Sequence, residues 1–507
     1  MATRTQHAKR NIITSISNKL VSMFATFIMR TIIIRYLGSL YLGLDSLFVS
    51  ILQILSLAEL GVGSAMVFSM YKPIAEDDTP AVCALLNLYR TIYRWIAVAM
   101  VAIGLIMVPF LHIIVKTELP ADLNLYVLYF INLSSIILSY MLFAYRSSLF
   151  TATQHFSVDN NIVTFFKIAS SIAQAAAVII FRNYYYYCLI LPLTELLKNY
   201  AIYVISNKMY PQYQCEGVVP KEEIDNIKKR VAGMFLYKLS GVFRNSFDSI
   251  VLSAFLGLHI LAKYNNYYYI LNAITGIIIL TSTSITASVG NSIVLETKKK
   301  NYNDFNKFQM LYMWIMSWAT ICLLCCYQPF IKIWVGENML FGDGIMIIFC
   351  IYFLTQGFNR ICYIYRQAAG LWWQDRYRPV VESIVNLTLN IILVKYIGVV
   401  GVMLSTIFCL ITINCVWGTY TLFRHYFTDE HMSAFLLKLG LYTMLTAVSG
   451  TICYFVCLWL GLSGVMAIIV NLAIATLVSN IVFAVGTSFL PEFRPAVRFL
   501  RKLTIKK

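Results

Sequence analysis

Charge is what this 507-residue chain has least of: only 12% of its residues are Asp, Glu, Lys or Arg, against roughly a quarter in ordinary soluble proteins. That excludes a soluble enzyme of several domains. Acid is scarcer than base, with 23 Asp plus Glu against 40 Lys plus Arg. The six histidines are scattered, His425 and His431 being the nearest pair. No metal-ligand spacing, phosphate-cradling glycine loop or nucleophile elbow occurs, so the sequence offers no catalytic or metal residues and calls for no cofactor. Polar connections long enough to fold as separate soluble domains are also missing, which confines any chemistry to the helices or their ends. The twelve cysteines mostly lie inside apolar runs, as Cys322, Cys325, Cys326 and Cys453 do, and read as small core residues rather than a disulfide framework.

What is present in excess is hydrocarbon. Hydrophobic residues make up 59% of the chain, and a helix crossing a bilayer needs about 20 of them. Apolar runs broken by charge, Pro or Gly give fourteen candidate spans, near 13–35, 44–70, 91–115, 124–145, 160–181, 184–206, 232–256, 262–294, 308–334, 344–364, 379–397, 399–423, 436–460 and 464–486. The expected fold is therefore an all-α polytopic membrane protein. The first segment carries Asn18, Lys19 and Arg30 and runs on without a small-residue cleavage site, so it is expected to stay in the membrane.

The formal charge of +17 is lopsided along the chain as well. With the N-terminus in the cytoplasm, the inside connections collect Lys221, Lys228, Lys229, Arg230, the run Lys298 to Lys300 and the tail from Arg494 to Lys507. The outside loops hold only Arg35, Lys116, Arg182, Lys263, Lys332 and Lys395. That split predicts both termini in the cytoplasm, and it reads the basic excess as loops facing anionic lipid rather than nucleic acid. Tyr184 to Tyr187 and Tyr267 to Tyr269 fall beside outside loops, where amphipathic rings favour the membrane interface. The tail places Phe493, Val497, Leu500 and Leu503 at helical spacing opposite Arg494, Arg498, Arg501 and Lys502. It reads as a basic helix on the inner surface or as a solvated tail.

Sliding the sequence on itself brings Tyr36-Leu37-Gly38 onto Phe255-Leu256-Gly257 and Lys19 onto Lys238 at an offset of 219, and Tyr145-Arg146 onto Tyr365-Arg366 at 220. The order of matches predicts two parallel six-span lobes, 1–206 and 232–423, joined by a cytoplasmic linker, 207–231. The segment 424–507 adds two spans and the tail. Transporters of this plan bind cargo between their halves.

Charges inside spans carry the functional signal, because an ion at mid-bilayer is costly unless it meets a partner or water. In the first span Asn11, Ser15, Asn18, Lys19, Ser22, Thr26 and Arg30 recur along one helix face, and in the seventh Lys238, Arg244, Asn245, Asp248 and Ser249 repeat the pattern. Lys19, Arg30, Lys238, Arg244 and Asn245 are the candidate substrate-binding residues of a wet cationic cavity. The alternative is that they snorkel to the interfaces or pair locally, as Arg244 and Asp248 would at i, i+4. Glu59 lies in Leu57-Ala58-Glu59-Leu60-Gly61-Val62-Gly63-Ser64-Ala65, whose small residues permit close approach and a local break. Glu59 and Asp248 are the candidates for ion coupling; Glu59 carries a proton or holds broken backbone. Glu195 and Lys198, at i, i+3, satisfy each other. Lys167, Arg360 and Glu382 stand alone. The sequons at Asn132 and Asn386 lie inside spans and carry no glycan.

Several stretches together resemble a known family. Arg35-Tyr36-Leu37-Gly38-Ser39-Leu40-Tyr41-Leu42-Gly43-Leu44, the Glu59 segment, Tyr71-Lys72-Pro73-Ile74-Ala75-Glu76-Asp77-Asp78, and Tyr365-Arg366-Gln367-Ala368-Ala369-Gly370-Leu371 with Asp375-Arg376-Tyr377-Arg378-Pro379 after it are similar to bacterial polysaccharide flippases of the O-antigen and capsule type. These belong to the multidrug/oligosaccharidyl-lipid/polysaccharide exporter superfamily. The resemblance implies two six-helix lobes around a cavity that opens alternately to each side of the bacterial cytoplasmic membrane. Its cargo would be an undecaprenyl-pyrophosphate-linked oligosaccharide, the coupling ion H+ or Na+, and the downstream partner a polysaccharide polymerase. The residues give a physical reason: Lys19, Arg30, Lys238 and Arg244 can replace the hydration of a pyrophosphate. Rival readings are a cation-coupled drug or toxin exporter of the same superfamily, which wants an acidic cavity, and a membrane glycosyl-polymerase, which wants a large outside loop.

Overall fold

A chain in hydrocarbon must satisfy its backbone amides internally, and only helices or closed barrels do so. In the computed structural model every one of the fourteen apolar segments is built of helix, and the described residues contain no strand. The structure describes the backbone of residues 4–59, 61–117, 119–120 and 122–505, and the side chains of all these except 4–16, 57–58, 232–241, 243–245, 280–285, 287–288 and 502–505. Nine helices among the described residues are long and apolar enough to cross a membrane, or ten when the bent pair Leu125–Met141 and Ala144–Ala152 counts as one span. Two local features account for two of the four segments by which ten falls short of fourteen, and the other two, 232–256 and 262–294, include residues whose side chains lie outside those described. The segment 44–70 is broken at Gly61, whose φ of 92° interrupts the helix. The stretch Arg378–His425, continuous by length and apolarity, reverses at Ile397 and Gly398.

The chain divides into two compact units, Met1–Ala262 and Lys263–Lys507. In the first, α1 (Arg4–Tyr36), α2 (Ser39–Leu55), α3 (Val62–Ala75), α4 (Thr79–Met107), α5 (Leu111–Ile114), α6 (Leu125–Met141), α7 (Ser147–Ala152), α8 (Phe156–Ala176), α9 (Tyr184–Met209) and α10 (Lys221–Leu256) lead into the first turn of α11 (Leu258–Leu295). Side-chain caps explain several starts. Asp78 accepts from the Ala81 amide at 3.0 Å ahead of Pro80 in α4, Asn124 accepts from Tyr126 and Val127, and Asn183 from Tyr185 at 2.8 Å. α1 packs along α8, α6 along α9, and α2 along α10. In lipid such packing rests on close contact rather than water release, so small residues sit at the crossings. Gly43 is one: a Cβ there would lie 2.1 Å from the Leu258 carbonyl oxygen.

The second unit holds the rest of α11, then α12 (Lys298–Val335), α13 (Asp343–Gly357), α14 (Arg360–Ala368), α15 (Arg378–Cys409), α16 (Gly418–His425), α17 (Met432–Leu460), α18 (Gly464–Thr487) and α19 (Phe493–Ile505). α12 is its axis and packs against α13, α17, α18 and α19. The reversal inside α15 is a helical hairpin: Asn386 donates to Thr406 at 2.9 Å, and Asn390 pairs with Ser405. In one straight helix Asn386 and Thr406 would stand about 30 Å apart.

Three aromatics expected at the interface are core residues instead. Tyr184, Tyr187 and Tyr267 are buried, and Tyr267 donates to Gln328 at 2.7 Å inside a cluster with Tyr327, Phe341 and Phe349. Their neighbour Tyr186 stays exposed. Helical period decides this, since adjacent tyrosines point to different faces. The tail is helical and docked: Phe499 meets Phe308 edge-on, Phe493 stacks on Trp314, and Arg494, Arg498 and Arg501 remain exposed.

Candidate functional site

The break between α2 and α3 builds the most elaborate polar site of the first unit. Ser56–Glu59 forms one turn of 3-10 helix, and Gly61, in a conformation that favours glycine, lets α3 begin immediately afterward. The Tyr93 hydroxyl donates to Glu59 Oε1 at 2.8 Å and the Tyr140 hydroxyl to Oε2 at 2.5 Å; Tyr89 donates to Tyr93 at 2.7 Å. Tyr89 and Tyr93 lie one turn apart on α4, and their rings and that of Tyr140 meet edge to face. Each half of the carboxylate thus has its own phenol.

This group opens into a cavity of about 560 Å³, lined also by Ser64, Phe68, Tyr71, Ser147, Ser148 and Thr151. Phe68 and Tyr71 are 56% and 45% exposed. The Arg230 guanidinium lies 4.7 Å over Phe68 and donates to Ser69 Oγ at 2.9 Å and to Glu223 at 3.5 Å. Hydroxyls that donate and accept, one acceptor carboxylate and exposed rings suit a polyhydroxylated guest better than a purely apolar or purely ionic one.

A second polar group joins four helices of the same unit. Tyr187 of α9 donates to Asp45 of α2 at 3.1 Å, and the charges of Arg30 on α1 and Lys167 on α8 act on the Asp45 carboxylate. Tyr184 and Tyr187 stack, and Tyr41 meets Tyr184 edge-on. Arg30 is half-buried here, whereas Lys19 is exposed further along α1, and Asn18 donates to Asn161 of α8 at 3.1 Å. Part of the α1 polar stripe is therefore engaged within its own unit. On α10, Asp248 is 3% exposed, flanked by Ser249 and by Ser246, which donates to Gln53 at 3.2 Å. The side chains of Lys238, Arg244 and Asn245 lie outside the described residues. Glu195 and Lys198 pair at 2.5 Å.

The repeated Tyr-Arg pair has a different fate in each unit. Arg146, 2% exposed, lies 5.3 Å over the Tyr203 ring and reaches Ser206 at 3.5 Å. Arg366, 3% exposed, stands 3.8 Å from Asp375, and its three nitrogens make no hydrogen bond among the described residues. It fits only because Gly418 has no side chain, since a Cβ there would lie 1.8 Å from Nη1. Arg378 forks onto Asp375 at 2.8 to 3.1 Å and bonds Glu382 at 3.0 Å; Asn414 donates to Glu382 at 2.9 Å and Asn359 to Asn414 at 2.5 Å. Two guanidinium groups facing two carboxylates make a cluster without net charge, which braces helices. Glu382, isolated in the sequence reading, is thus paired, and the i, i+4 spacing from Arg378 was its visible signal. Asp45 had a signal too, a single acid in an apolar run; the phenols on Glu59 had none.

Set beside known proteins, the chain falls into a class and then a family. Its fold is shared with the lipid II flippase MurJ in an inward closed conformation, at a TM-score of 0.69 and 15% identity, over 94% of this chain and 98% of that one. It is shared with an inward-facing MATE family multidrug resistance transporter of the MOP superfamily, at 0.61 and 13% over 82% and 98%. A variant of the Vibrio cholerae MATE transporter VcmN matches at 0.54 and 12% over 84% and 98%. No curated protein sequence matches the chain significantly. The profile of the polysaccharide biosynthesis protein family matches residues 8–286, more than half of the chain, and the chain belongs to that family. The resemblance read from the sequence and the all-helical membrane fold are both borne out.

Proposed function

We propose that this protein moves an undecaprenyl-pyrophosphate-linked oligosaccharide from the inner to the outer leaflet of the bacterial cytoplasmic membrane by alternating access. The observation that carries the reading is the cavity around Glu59, which offers a glycan hydroxyls, a carboxylate and exposed aromatic rings. Its volume falls within the range of small-molecule sites, roughly 300–1,000 Å³. In this reading segments 1–206 and 232–423 act as the two lobes, 207–231 is the cytoplasmic linker, 424–507 is an appended pair of helices with the tail, and both termini are cytoplasmic. Lys19, Arg30, Lys238, Arg244 and Asn245 receive the pyrophosphate, whose charge otherwise bars it from hydrocarbon. The polyprenyl tail stays in the bilayer. Glu59 or Asp248 exchanges a proton or sodium ion that drives the return of the empty carrier. A polysaccharide polymerase takes the delivered product.

The shared fold of the MATE transporters favours one other reading, a cation-coupled drug or toxin exporter. Purified protein in proteoliposomes separates the two. With a fluorescent undecaprenyl-pyrophosphate oligosaccharide in the inner leaflet, the proposal expects appearance of the sugar outside, accelerated by an imposed ion gradient and lost in Glu59→Gln. Gradient-driven uptake of lipophilic cations with no movement of the lipid-linked sugar would overturn it.

A further inference from the structure

The second unit gathers five thiols that pack in one cluster and that the proposed transport does not use. Cys322, Cys325 and Cys326 lie on α12, and Cys453 and Cys457 one turn apart on α17, where the two helices pack with Ala475 of α18 between them. Cys325 is 5% exposed and Cys453 fully buried, whereas Cys457 is half-buried. Cys325 shares one packed cluster with both Cys453 and Cys457. None of these cysteines is in a disulfide. Thiols packed in apolar surroundings are ordinarily inert, but these have an approach. A cavity of about 600 Å³ is lined by Cys325 and Cys457 together with Gln328, Pro329, Tyr454 and Gly461. It lies toward the end of α12 that carries Lys332 and beside the α17–α18 turn, the side assigned outside by the charge distribution. Disulfides form on that side of a cytoplasmic membrane. Among the described residues no three His, Cys, Asp or Glu converge as metal ligands.

We propose that Cys325 and Cys457 form an oxidisable dithiol site whose substrate is a small organic disulfide, and that its closure staples α12 to α17, with Cys453 as the alternative partner. The Cys457 thiolate, the more accessible, attacks one sulfur of the incoming disulfide; the S–S bond breaks and one thiol leaves carrying a proton. The Cys325 thiolate then attacks Cys457 Sγ of the mixed disulfide and expels the second thiol. Two protein thiols are oxidised, one external disulfide is reduced to two thiols, and the two protons end on those products. Cys453 and Cys457 point to the same face of α17 from consecutive turns, so either can meet Cys325.

The test uses the full-length protein in nanodiscs, exposed to oxidised glutathione, alkylated, digested and read by peptide mass spectrometry. The expected result is a Cys325–Cys457 linked peptide, with a minor Cys325–Cys453 species, both removed by dithiothreitol, while Cys83, Cys188, Cys350, Cys362, Cys409 and Cys415 stay unlinked. Cys325→Ser is expected to lose both species, Cys457→Ser to keep only the link to Cys453, and the double variant Cys453→Ser/Cys457→Ser to lose all linkage while running as a monodisperse species. The proposal is overturned if every thiol stays alkylatable, if glutathione remains on Cys457 without transfer to Cys325, or if linkage persists in Cys325→Ser.

Discussion

Ser39 Oγ lies 2.7 Å from His259 Nδ1, although 220 residues of chain separate them. That separation is one more than the 219-residue offset that brings Gly38 onto Gly257. Each residue follows a glycine turn of positive φ, Gly38 at 108° and Gly257 at 85°, so two repeat-equivalent helix starts meet here. The same contact brings Leu258 onto Gly43 and closes with Thr117 accepting from the Leu258 amide and Ser253 donating to the Ile114 carbonyl at 2.8 Å.

A side chain at Gly43 therefore has nowhere to go. Gly43→Val is expected to force α2 off the start of α11 and to cost about 1–3 kcal/mol, as overpacking does. The measurement is thermal unfolding of the detergent-purified protein, together with cysteine crosslinking of Ser39→Cys/His259→Cys. The variant is expected to lower both the melting temperature and the crosslink yield.

Glu59 separates stability from transport. Tyr93→Phe and Tyr140→Phe each remove one charge-assisted hydrogen bond and are expected to cost about 1.5–3 kcal/mol. The double variant leaves the carboxylate with neither phenol and is expected to lose more stability than either single change. Glu59→Gln keeps a partner for one or both hydroxyls, so its melting temperature is expected to move little while export of surface polysaccharide falls sharply. Equal export by Glu59→Gln at equal protein level would remove Glu59 from the transport cycle.

The neutral cluster around Arg378 predicts the opposite pattern, loss of fold rather than of transport alone. Arg378→Met leaves Asp375 and Glu382, 6% and 2% exposed, without their main partner. Breaking one side of a buried pair costs about 3–5 kcal/mol. The variant is expected to show reduced membrane abundance, and addition of Asp375→Asn/Glu382→Gln is expected to restore part of it.

Cationic binding of the pyrophosphate makes a claim on α10. Lys238→Ala and Arg244→Ala are each expected to lower polysaccharide export at normal protein level, and the pair to abolish it. Unchanged export in both would remove the cationic cavity from the mechanism.

The charge distribution makes a claim on orientation. A single cysteine at Lys299 in a cysteine-free background is expected to react with a membrane-impermeant maleimide only after the membrane is permeabilised. Labelling in intact cells would invert the topology.

The amino-acid order alone made the helices legible, because hydropathy is written locally, residue by residue, and apolar runs of about 20 residues fit a membrane-spanning helix rather than the shorter strands of a closed barrel. It also carried the repeat: Gly38 and Gly257 are visible as equivalents before any contact between them is known. The break at Gly61 was legible as a cluster of small residues around Glu59. What it left undecided is partnership. Lys19, Arg30 and Glu382 stand out as costly ions, yet the sequence does not say that Arg30 acts on Asp45, that Tyr93 and Tyr140 hold Glu59, or that Tyr267 is core while Tyr186 faces outward. Those choices depend on how helices far apart in the chain are rotated against each other, and only the tertiary structure fixes the rotation: burying an ion or phenol is tolerable in one orientation, where its partner is within reach, and costs several kcal/mol in the others.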